Sequence, residues 1–523
     1  MMRGLIRLLL VLLLPLTIHG NHQDTTNLTR MNHWVDSVYS VLSPAQRVAQ
    51  LMVIRAWSCR DSAYTDSLSS VVARFSPGGI CFFKGTPLQQ ALLTNRLQDS
   101  ARIPLLIMMD AEWGLGMRLD SAEAYPRNMT LGALRNDSLI YQMASMIGKD
   151  CRRLGVHVNL APVVDVNNNP DNPVIGFRSF GENPNQVAKK SMFYLMGLRQ
   201  QGILGTAKHF PGHGDTDADS HLSLPLIPFS RSRMDSIELV PFREMIHDSV
   251  WGIMIAHLFV PELDSTPNQA STLSPAIIKG LLRKDLGFTG FVVSDALDMK
   301  GVAQFYKPGE IELKSFMAGN DILLLPQNLD IAVSSFTTVA DSILIPNLVL
   351  ESHVKKILRL KYQLGLTHRR PVDKAGIYSD LFRSESEVIQ REIYQEAITL
   401  VRDPFGLIPL RYLDRRRIAS LAIGDSLVNK FQERLSSYAT TDHYHLPASF
   451  TKREADSMVF TLNSYDVVIL GLFSTQSKPD QRFGVTPELE ALIDTLGKLH
   501  RTILVVLGTP YALHVLDQEQ LPE

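Results

Sequence analysis

Phe291-Val292-Val293-Ser294-Asp295 is an apolar run, long enough for one buried strand, that ends on a carboxylate. Seven other short apolar runs occur in the chain, bounded by Gly, Pro or Asp and separated by amphipathic helical stretches. The eight predicted strands are residues 51–57, 79–83, 105–110, 157–162, 206–210, 253–259, 291–295 and 322–326. Eight βα units in about 300 residues are typical of a (β/α)8 barrel of the TIM type. An open doubly wound sheet is disfavoured, because no GxGxxG motif follows the first strand.

Polar side chains recur at one end of these predicted strands. They lie at or just after the C-terminal ends, at Asp110, Asp165, Lys208, His209, His257 and Asp295. In a (β/α)8 barrel this end carries the active site. We therefore expect these side chains to surround one cleft.

The charge balance argues against a nucleic acid or an anionic membrane as a partner. The 523 residues include 52 basic and 53 acidic side chains, which gives a formal net charge of -1. Cys59, Cys81 and Cys151 are widely spaced and form no CxxC pair, so the sequence predicts neither a zinc site nor a disulfide framework.

The N-terminus has the pattern of a secretory signal. Arg3 and Arg7 precede the apolar run 8–14, and small and polar residues follow. We expect residues 1–20 to be a signal peptide and the protein to be exported to the periplasm or cell surface. The apolar run is short for a membrane span, so no stable membrane insertion is expected after its removal, although an uncleaved anchor is an alternative.

Beyond the barrel, the pattern changes near residue 365. We predict a barrel domain at 30–370, a linker at 371–395 that runs into a helix at 384–400, and a C-terminal α/β sandwich domain at 396–523. Its predicted strands are residues 418–423, 467–472 and 503–507. The sequence stops soon after the last of them without a closing helix, which suggests a truncated domain.

The segment Lys208-His209-Phe210-Pro211-Gly212-His213-Gly214-Asp215-Thr216-Asp217-Ala218-Asp219-Ser220-His221 concentrates titratable groups in a predicted loop. Asp219 stands two residues before His221, where a carboxylate can fix the tautomer of an imidazole that acts as general acid and base. A surface histidine beside an acid is the competing interpretation. His209 and His213 stand four residues apart, but this spacing favours a metal site only on one face of a helix, and here both lie in a Pro/Gly-containing segment.

Asp295 and four other residues are the remaining candidates. A carboxylate at the end of a barrel strand can form and release a covalent sugar ester, but Asp295 is equally compatible with capping the next helix. Charged side chains at Asp110, Arg178, Lys208 and His209 can hold sugar hydroxyls, or can form structural ion pairs at the barrel mouth.

These motifs resemble family 3 of the glycoside hydrolases, specifically the bacterial β-N-acetylglucosaminidase branch. The likeness extends over residues 35–515 and is most specific at 208–221, which matches KHFPGHGDTxxDSH, and at 290–299, which matches the nucleophile strand. Segments 159–165 and 175–181 resemble those around a substrate-contacting arginine. One segment departs: the family's DQEGG reads Asp110-Ala111-Glu112-Trp113-Gly114 here, so Trp113 either stacks on substrate or packs the loop.

The resemblance implies a role for each candidate. Asp295 is the implied nucleophile, His221 the acid/base and Asp219 its partner, and the sugar-binding residues are Asp110, Arg178, Lys208 and His209.

We expect an exported, retaining exo-β-N-acetylglucosaminidase acting on peptidoglycan fragments or related glycans, with neither metal nor organic cofactor. A histidine in place of the usual acid/base carboxylate leaves phosphorolysis open. A β-glucosidase or β-xylosidase of the same family, and a non-catalytic glycan-binding protein, are the alternatives.

Overall fold

The computed structural model describes residues 22–220, 222–340, 347–425, 429–476, 478–498 and 501–516. The predicted signal peptide at 1–20 and the last residues of the chain, 517–523, therefore lie outside the described residues. So does His221.

Eight short parallel strands form the first domain. They are β1 (Met52–Trp57), β2 (Gly79–Phe83), β3 (Leu106–Met109), β4 (Val158–Asn159), β5 (Leu204–Phe210), β6 (Gly252–Ile255), β7 (Phe291–Ser294) and β8 (Leu323–Leu324). Neighbours in sequence are neighbours in the sheet, and β8 pairs with β1. A parallel bridge between Val293 and Ile322 joins β7 to the segment that leads into β8, so the barrel closes. The predicted (β/α)8 barrel is confirmed.

Helices surround this barrel. They are α1 (His22–Val41), α2 (Pro44–Ala49), α3 (Ser62–Phe75), α4 (Pro87–Ser100), α5 (Asn128–Gly132), α6 (Ser138–Arg153), α7 (Pro184–Gln200), α8 (Arg231–Ser236), α9 (Leu239–His247), α10 (Lys300–Ala303), α11 (Glu310–Ala318), α12 (Leu329–Ala340) and α13 (Asn347–Gln363), with a π-helix at Ala276–Asp285. Local sequence sets their starts: Thr86, for example, caps α4 by accepting a hydrogen bond from the Gln89 amide. The strands are apolar because helices or barrel interior cover both faces.

The predicted linker, 371–395, holds α14 (Ile377–Leu381) and the greater part of α15 (Ser384–Ala397). Ile389 and Ile393 of α15 belong to the same apolar cluster as the barrel helices. Arg383, just before α15, donates a 2.6 Å hydrogen bond to Asp150 on α6. This segment is therefore docked on the outside of the barrel.

A second parallel sheet forms the C-terminal domain. Its strands, in the order β10-β9-β11-β12, are β9 (Ile418–Ile423), β10 (Thr441–Leu446), β11 (Val467–Leu472) and β12 (Thr502–Val506). The helices are α16 (Lys430–Ser436), α17 (Lys452–Leu462), α18 (Pro487–Gly497) and α19 (Ala512–Val515). Leu421 and Leu470 lie in one apolar cluster, while Ile418 and Ile469 lie in another. The sheet is therefore buried on both faces, as an α/β sandwich requires.

Candidate active site

A buried lysine at the end of β5 organises the barrel mouth. The Lys208 Nζ lies 2.9 Å from Asp110 Oδ1 and 2.9 Å from Glu112 Oε1. Arg118 donates a 2.6 Å hydrogen bond to Asp110, and Arg178 binds Glu112 with two hydrogen bonds of 2.7 and 3.0 Å. These five residues are called the charged cluster below. Three cations and two carboxylates leave it with a net positive charge.

The charges of this cluster hold one another in the ionised state. Burial pushes the pKa of Glu112 up, but Arg178 and Lys208 outweigh it and lower that pKa to about 2. The same balance, set by Lys208 and Arg118, holds the pKa of Asp110 well below its ordinary value. Burial alone would lower the pKa of Lys208, yet the two carboxylates raise it. The cluster is thus a preorganised set of donors and acceptors for hydroxyl groups.

Asp165, in the loop after β4, orients His209, the residue that follows Lys208 on β5. Its carboxylate accepts hydrogen bonds from the backbone amides of His209 and His213, at 3.2 and 2.8 Å, and lies 2.7 Å from His209 Nδ1. Since a carboxylate only accepts, the proton lies on Nδ1. His209 Nε2 then faces Arg178 Nη2, 3.4 Å away. His209 is therefore fixed against the charged cluster.

Asp295 follows β7 and is partly buried. Its Oδ1 accepts a 2.8 Å hydrogen bond from the Ala296 amide. Burial pushes the pKa of Asp295 up, but His257, His209, the Ala296 amide and Lys208 together hold it below the ordinary value. Helix α10 begins at Lys300 with Met299 as its N-cap, so the interpretation of Asp295 as a helix cap is wrong. Asp295 is an ionised carboxylate at the active-site end of the barrel.

The loop after β5 packs closely on its neighbours. A Cβ on Gly214 would collide with the Val166 carbonyl, so only glycine fits where this loop crosses the loop after β4. The ring of His213 lies 2.9 Å from Thr216 Oγ1 and 3.0 Å from Ser220 Oγ, and burial lowers its pKa to about 4. His213 is a neutral structural residue of this loop.

The end of this loop reaches the segment that follows Asp295. The carbonyl oxygens of Ser220 and Ser223 pack against Gly301, where a Cβ would collide with both. Asp219 is partly buried, and its carbonyl accepts hydrogen bonds from the Leu222 and Ser223 amides, each 2.9 Å long. Ser220 and Ser223 are therefore held beside Gly301 of α10, which lies six residues after Asp295 in the chain.

The predicted site residues Asp110, Arg178, Lys208, His209 and Asp295 all lie at this end of the barrel. The sequence placed Asp165 and His257 at strand ends without giving them roles. In the structure, His257 lies 2.9 Å from the Ala296 carbonyl and 2.7 Å from Thr272 Oγ1. Glu112 and Arg118 were not predicted as site residues, because their importance depends on pairing between side chains. Their presence in the segment that starts at Asp110 is the only sequence signal for them.

Trp113, in the loop after β3, packs against the loop after β4. Its ring meets the edge of Phe177 at a centroid distance of 6.3 Å, and the Arg127 guanidinium lies 5.0 Å from its centroid.

Within the described ranges, no group of three or more His, Cys, Asp or Glu side chains is arranged to hold a metal ion. None of the helices in those ranges is long and apolar enough to span a membrane.

Tyr511 of the C-terminal domain contacts a loop of this site. The Asn167 side chain donates a 2.6 Å hydrogen bond to the Tyr511 hydroxyl and accepts one of 3.1 Å from the Gly176 amide. Asn167 lies in the loop that carries both Asp165 and Arg178. Tyr511 therefore braces the loop that presents Arg178 to the charged cluster.

We expect Tyr511→Phe to lower kcat/KM on a glycoside substrate by about threefold to tenfold, because losing one hydrogen bond costs about 1 kcal/mol and loosens Arg178. The matched control is Tyr465→Phe, which removes a hydroxyl bonded to Tyr444 and Asp442 in the same domain. Steady-state kinetics and thermal unfolding of both variants measure the effect. A drop of equal size in both would show that the contact with Asn167 has no special role.

The chain matches known proteins over most of its length. Residues 45–360 match the family described as "Glycosyl hydrolase family 3 N terminal domain". "Beta-hexosaminidase A" of Pseudoalteromonas piscicida is 35% identical over 401 residues, which cover 70% of this chain and 66%, just under two thirds, of that protein. "Beta-hexosaminidase LpqI" of Mycobacterium tuberculosis is 34% identical over 298 residues, covering 54% of this chain and 74% of that protein.

The whole fold is also similar to a solved structure. The family 3 β-N-acetylglucosaminidase from Paenibacillus sp. str. FPU-7 superposes with a TM-score of 0.77 at 29% identity, over 92% of this chain and 93% of that one.

Proposed function

The chain belongs to glycosyl hydrolase family 3, and we therefore propose that it is an exported, retaining exo-β-N-acetylglucosaminidase. The observation that carries this proposal is the ionised Asp295 carboxylate at the end of β7, together with the end of the loop after β5, which packs on Gly301, six residues after Asp295. Both lie at the barrel end where the charged cluster presents donors and acceptors for a sugar ring.

In the proposed first step, Asp295 attacks the anomeric carbon and forms a glycosyl ester, while His221 gives a proton to the departing oxygen. Asp219 orients the imidazole of His221 and stabilises its charged form. In the second step, His221 takes a proton from water, and the water displaces Asp295. Two inversions at the same carbon leave the configuration of the sugar unchanged.

The sugar is assigned to the charged cluster. Asp110, Lys208 and Arg178 offer both acceptors and donors at fixed positions, and the Nδ1 proton of His209 is committed to Asp165. N-acetylglucosamine as the sugar rests on the names of the relatives, and peptidoglycan fragments as the natural source rest on the resemblance of the loop 208–221. Export rests on the pattern of residues 1–20.

The test compares aryl β-N-acetylglucosaminide with aryl β-glucoside, each with and without inorganic phosphate. We expect the N-acetylglucosaminide to be hydrolysed with a higher kcat/KM, and NMR of the first product formed to show the β-anomer. A preference for the glucoside would favour the β-glucosidase alternative. A phosphate-dependent sugar phosphate would identify a phosphorylase, and no turnover by folded protein would leave a binding protein.

A further inference from the structure

His257 lies just after β6, at the barrel end that carries Asp295, and is fully buried. Its Nε2 is 2.9 Å from the Ala296 carbonyl oxygen, and its Nδ1 is 2.7 Å from the Thr272 hydroxyl oxygen. A carbonyl oxygen only accepts hydrogen bonds, so Nε2 carries a proton. The state of Nδ1 depends on which acceptor receives the single proton of the Thr272 hydroxyl.

The backbone takes that proton. The Thr272 hydroxyl oxygen lies 2.7 Å from the Ala256 carbonyl oxygen, and in the described part of the chain no other donor bonds to that carbonyl. Ala256 is fully buried, so turning the hydroxyl toward His257 would leave a buried carbonyl without a donor, which is costly. Thr272 therefore accepts from His257 Nδ1. With both of its nitrogens protonated, the ring is an imidazolium ion.

A buried imidazolium ion needs a negative partner, because burial disfavours the charged form. Asp295 is that partner. Burial raises the pKa of Asp295, and the charge of His257 is the strongest influence that lowers it, ahead of His209 and Lys208. His213 also faces Asp295, but burial lowers its pKa to about 4, so it is neutral. The two buried charges, on His257 and Asp295, therefore stabilise each other.

His257 is also joined to Asp295 through the backbone of Ala296. The Ala296 amide donates a 2.8 Å hydrogen bond to Asp295 Oδ1, and the carbonyl of the same residue accepts the bond from His257 Nε2. The histidine ring thus fixes the residue whose amide holds the carboxylate.

We propose that His257 is a positively charged positioning residue for Asp295: its Nε2 proton fixes Ala296, and its charge keeps the Asp295 carboxylate ionised. Forming the glycosyl ester removes the negative charge of Asp295, while the imidazolium ion stays. When water displaces Asp295 in the second step, the electron pair of the breaking ester bond returns to the carboxylate beside this positive charge, which favours that step. This inference rests on the proposed function, because it concerns the group that forms the ester.

The first experiment removes the charge and keeps a donor. His257→Gln places a neutral amide that can still bond to the Ala296 carbonyl. We expect the acid limb of the pH profile of kcat/KM on aryl β-N-acetylglucosaminide to move up by about one pH unit, since losing a nearby positive charge raises the pKa of Asp295. With a 2,4-dinitrophenyl leaving group the second step limits the rate, and kcat should fall by about tenfold.

A second pair of variants changes the partner of the ring. Thr272→Val keeps the shape of the side chain but removes the acceptor for Nδ1, so the acid limb should move in the same direction. Thr272→Ser keeps the hydroxyl and should keep the wild-type acid limb. The matched control is His157→Gln, since His157 is buried just before β4, at the opposite end of the barrel, where its Nδ1 accepts a 3.0 Å hydrogen bond from the Ile107 amide. This control should not move the acid limb.

The outcomes separate this inference from the proposed function. If the wild type does not hydrolyse the N-acetylglucosaminide, the proposed function fails. If it does, but His257→Gln and Thr272→Val keep the wild-type acid limb, the enzyme stands and the role of His257 is wrong. Thermal unfolding of each variant confirms that the profiles come from folded protein.

NMR of wild-type protein with ¹⁵N-labelled histidine tests the charge without any variant and without turnover. At about pH 8 an ordinary histidine is neutral. We expect one ring to keep both nitrogens protonated there, and its absence would overturn the inference.

Discussion

Asp295→Ala is expected to reduce kcat/KM on aryl β-N-acetylglucosaminide by about 10⁴-fold, because it removes the carboxylate that we propose forms the glycosyl ester. We expect this loss because the Asp295 side chain is a carboxylate that is ready to react. Its pKa is held below the ordinary value by His257, His209 and Lys208 against the effect of burial, so the carboxylate that we propose as the nucleophile is ionised at neutral pH. Steady-state kinetics on folded protein measure the loss.

Two controls make this result specific. Asp298→Asn neutralises a second carboxylate in the same loop, which pairs with Arg55 and has no part in the proposed reaction. It should lower kcat/KM by less than about tenfold. Azide added to Asp295→Ala should restore turnover and give a glycosyl azide of inverted configuration, since the small anion fits where the carboxylate was. Retention of more than a tenth of wild-type activity in Asp295→Ala would exclude Asp295 as the nucleophile.

Many strands of both sheets could be predicted from sequence because they are buried on both faces. Such strands must be apolar throughout, and the predicted strands 79–83, 418–423 and 467–472 coincide with the observed bounds. Strand β10 was not predicted. Its sequence, Thr-Asp-His-Tyr-His-Leu, is polar because it lies at the edge of the second sheet with most of its side chains exposed or half-exposed.

The site was predictable as far as strand ends determine it. Asp110, Lys208 and Asp295 were identified because each closes an apolar run, and the barrel gathers those ends. What single positions could not reveal is the pairing between loops. The two hydrogen bonds from Arg178 to Glu112 join segments 66 residues apart, and the bond from Asn167 to Tyr511 joins two domains. Such contacts depend on how the loops pack after the barrel has formed.

Lys208→Met is expected to lower the free energy of unfolding by about 3 kcal/mol and kcat/KM by about 100-fold, because it leaves the buried Glu112 and the partly buried Asp110 with one cation fewer. In the wild type, the low pKa of Glu112, about 2, contributes stability that is present above the ordinary value of 4.5 and is lost as pH falls toward 2. Without Lys208 this pKa rises, so the contribution should be lost at a higher pH. Acid titration of unfolding measures this shift.

Lys190→Met is the matched control for that prediction. Lys190 is also buried, and its Nζ donates hydrogen bonds of 2.7 Å to both Asp137 and the Leu134 carbonyl, in the outer helical layer and outside the charged cluster. Both variants remove a buried ammonium group that pairs with a carboxylate, so both should be destabilised. Only Lys208→Met should lose activity at a temperature where the protein remains folded, because only Lys208 belongs to the charged cluster. An equal loss of kcat/KM in both variants would mean that Lys208 supports the fold and does not contact the sugar.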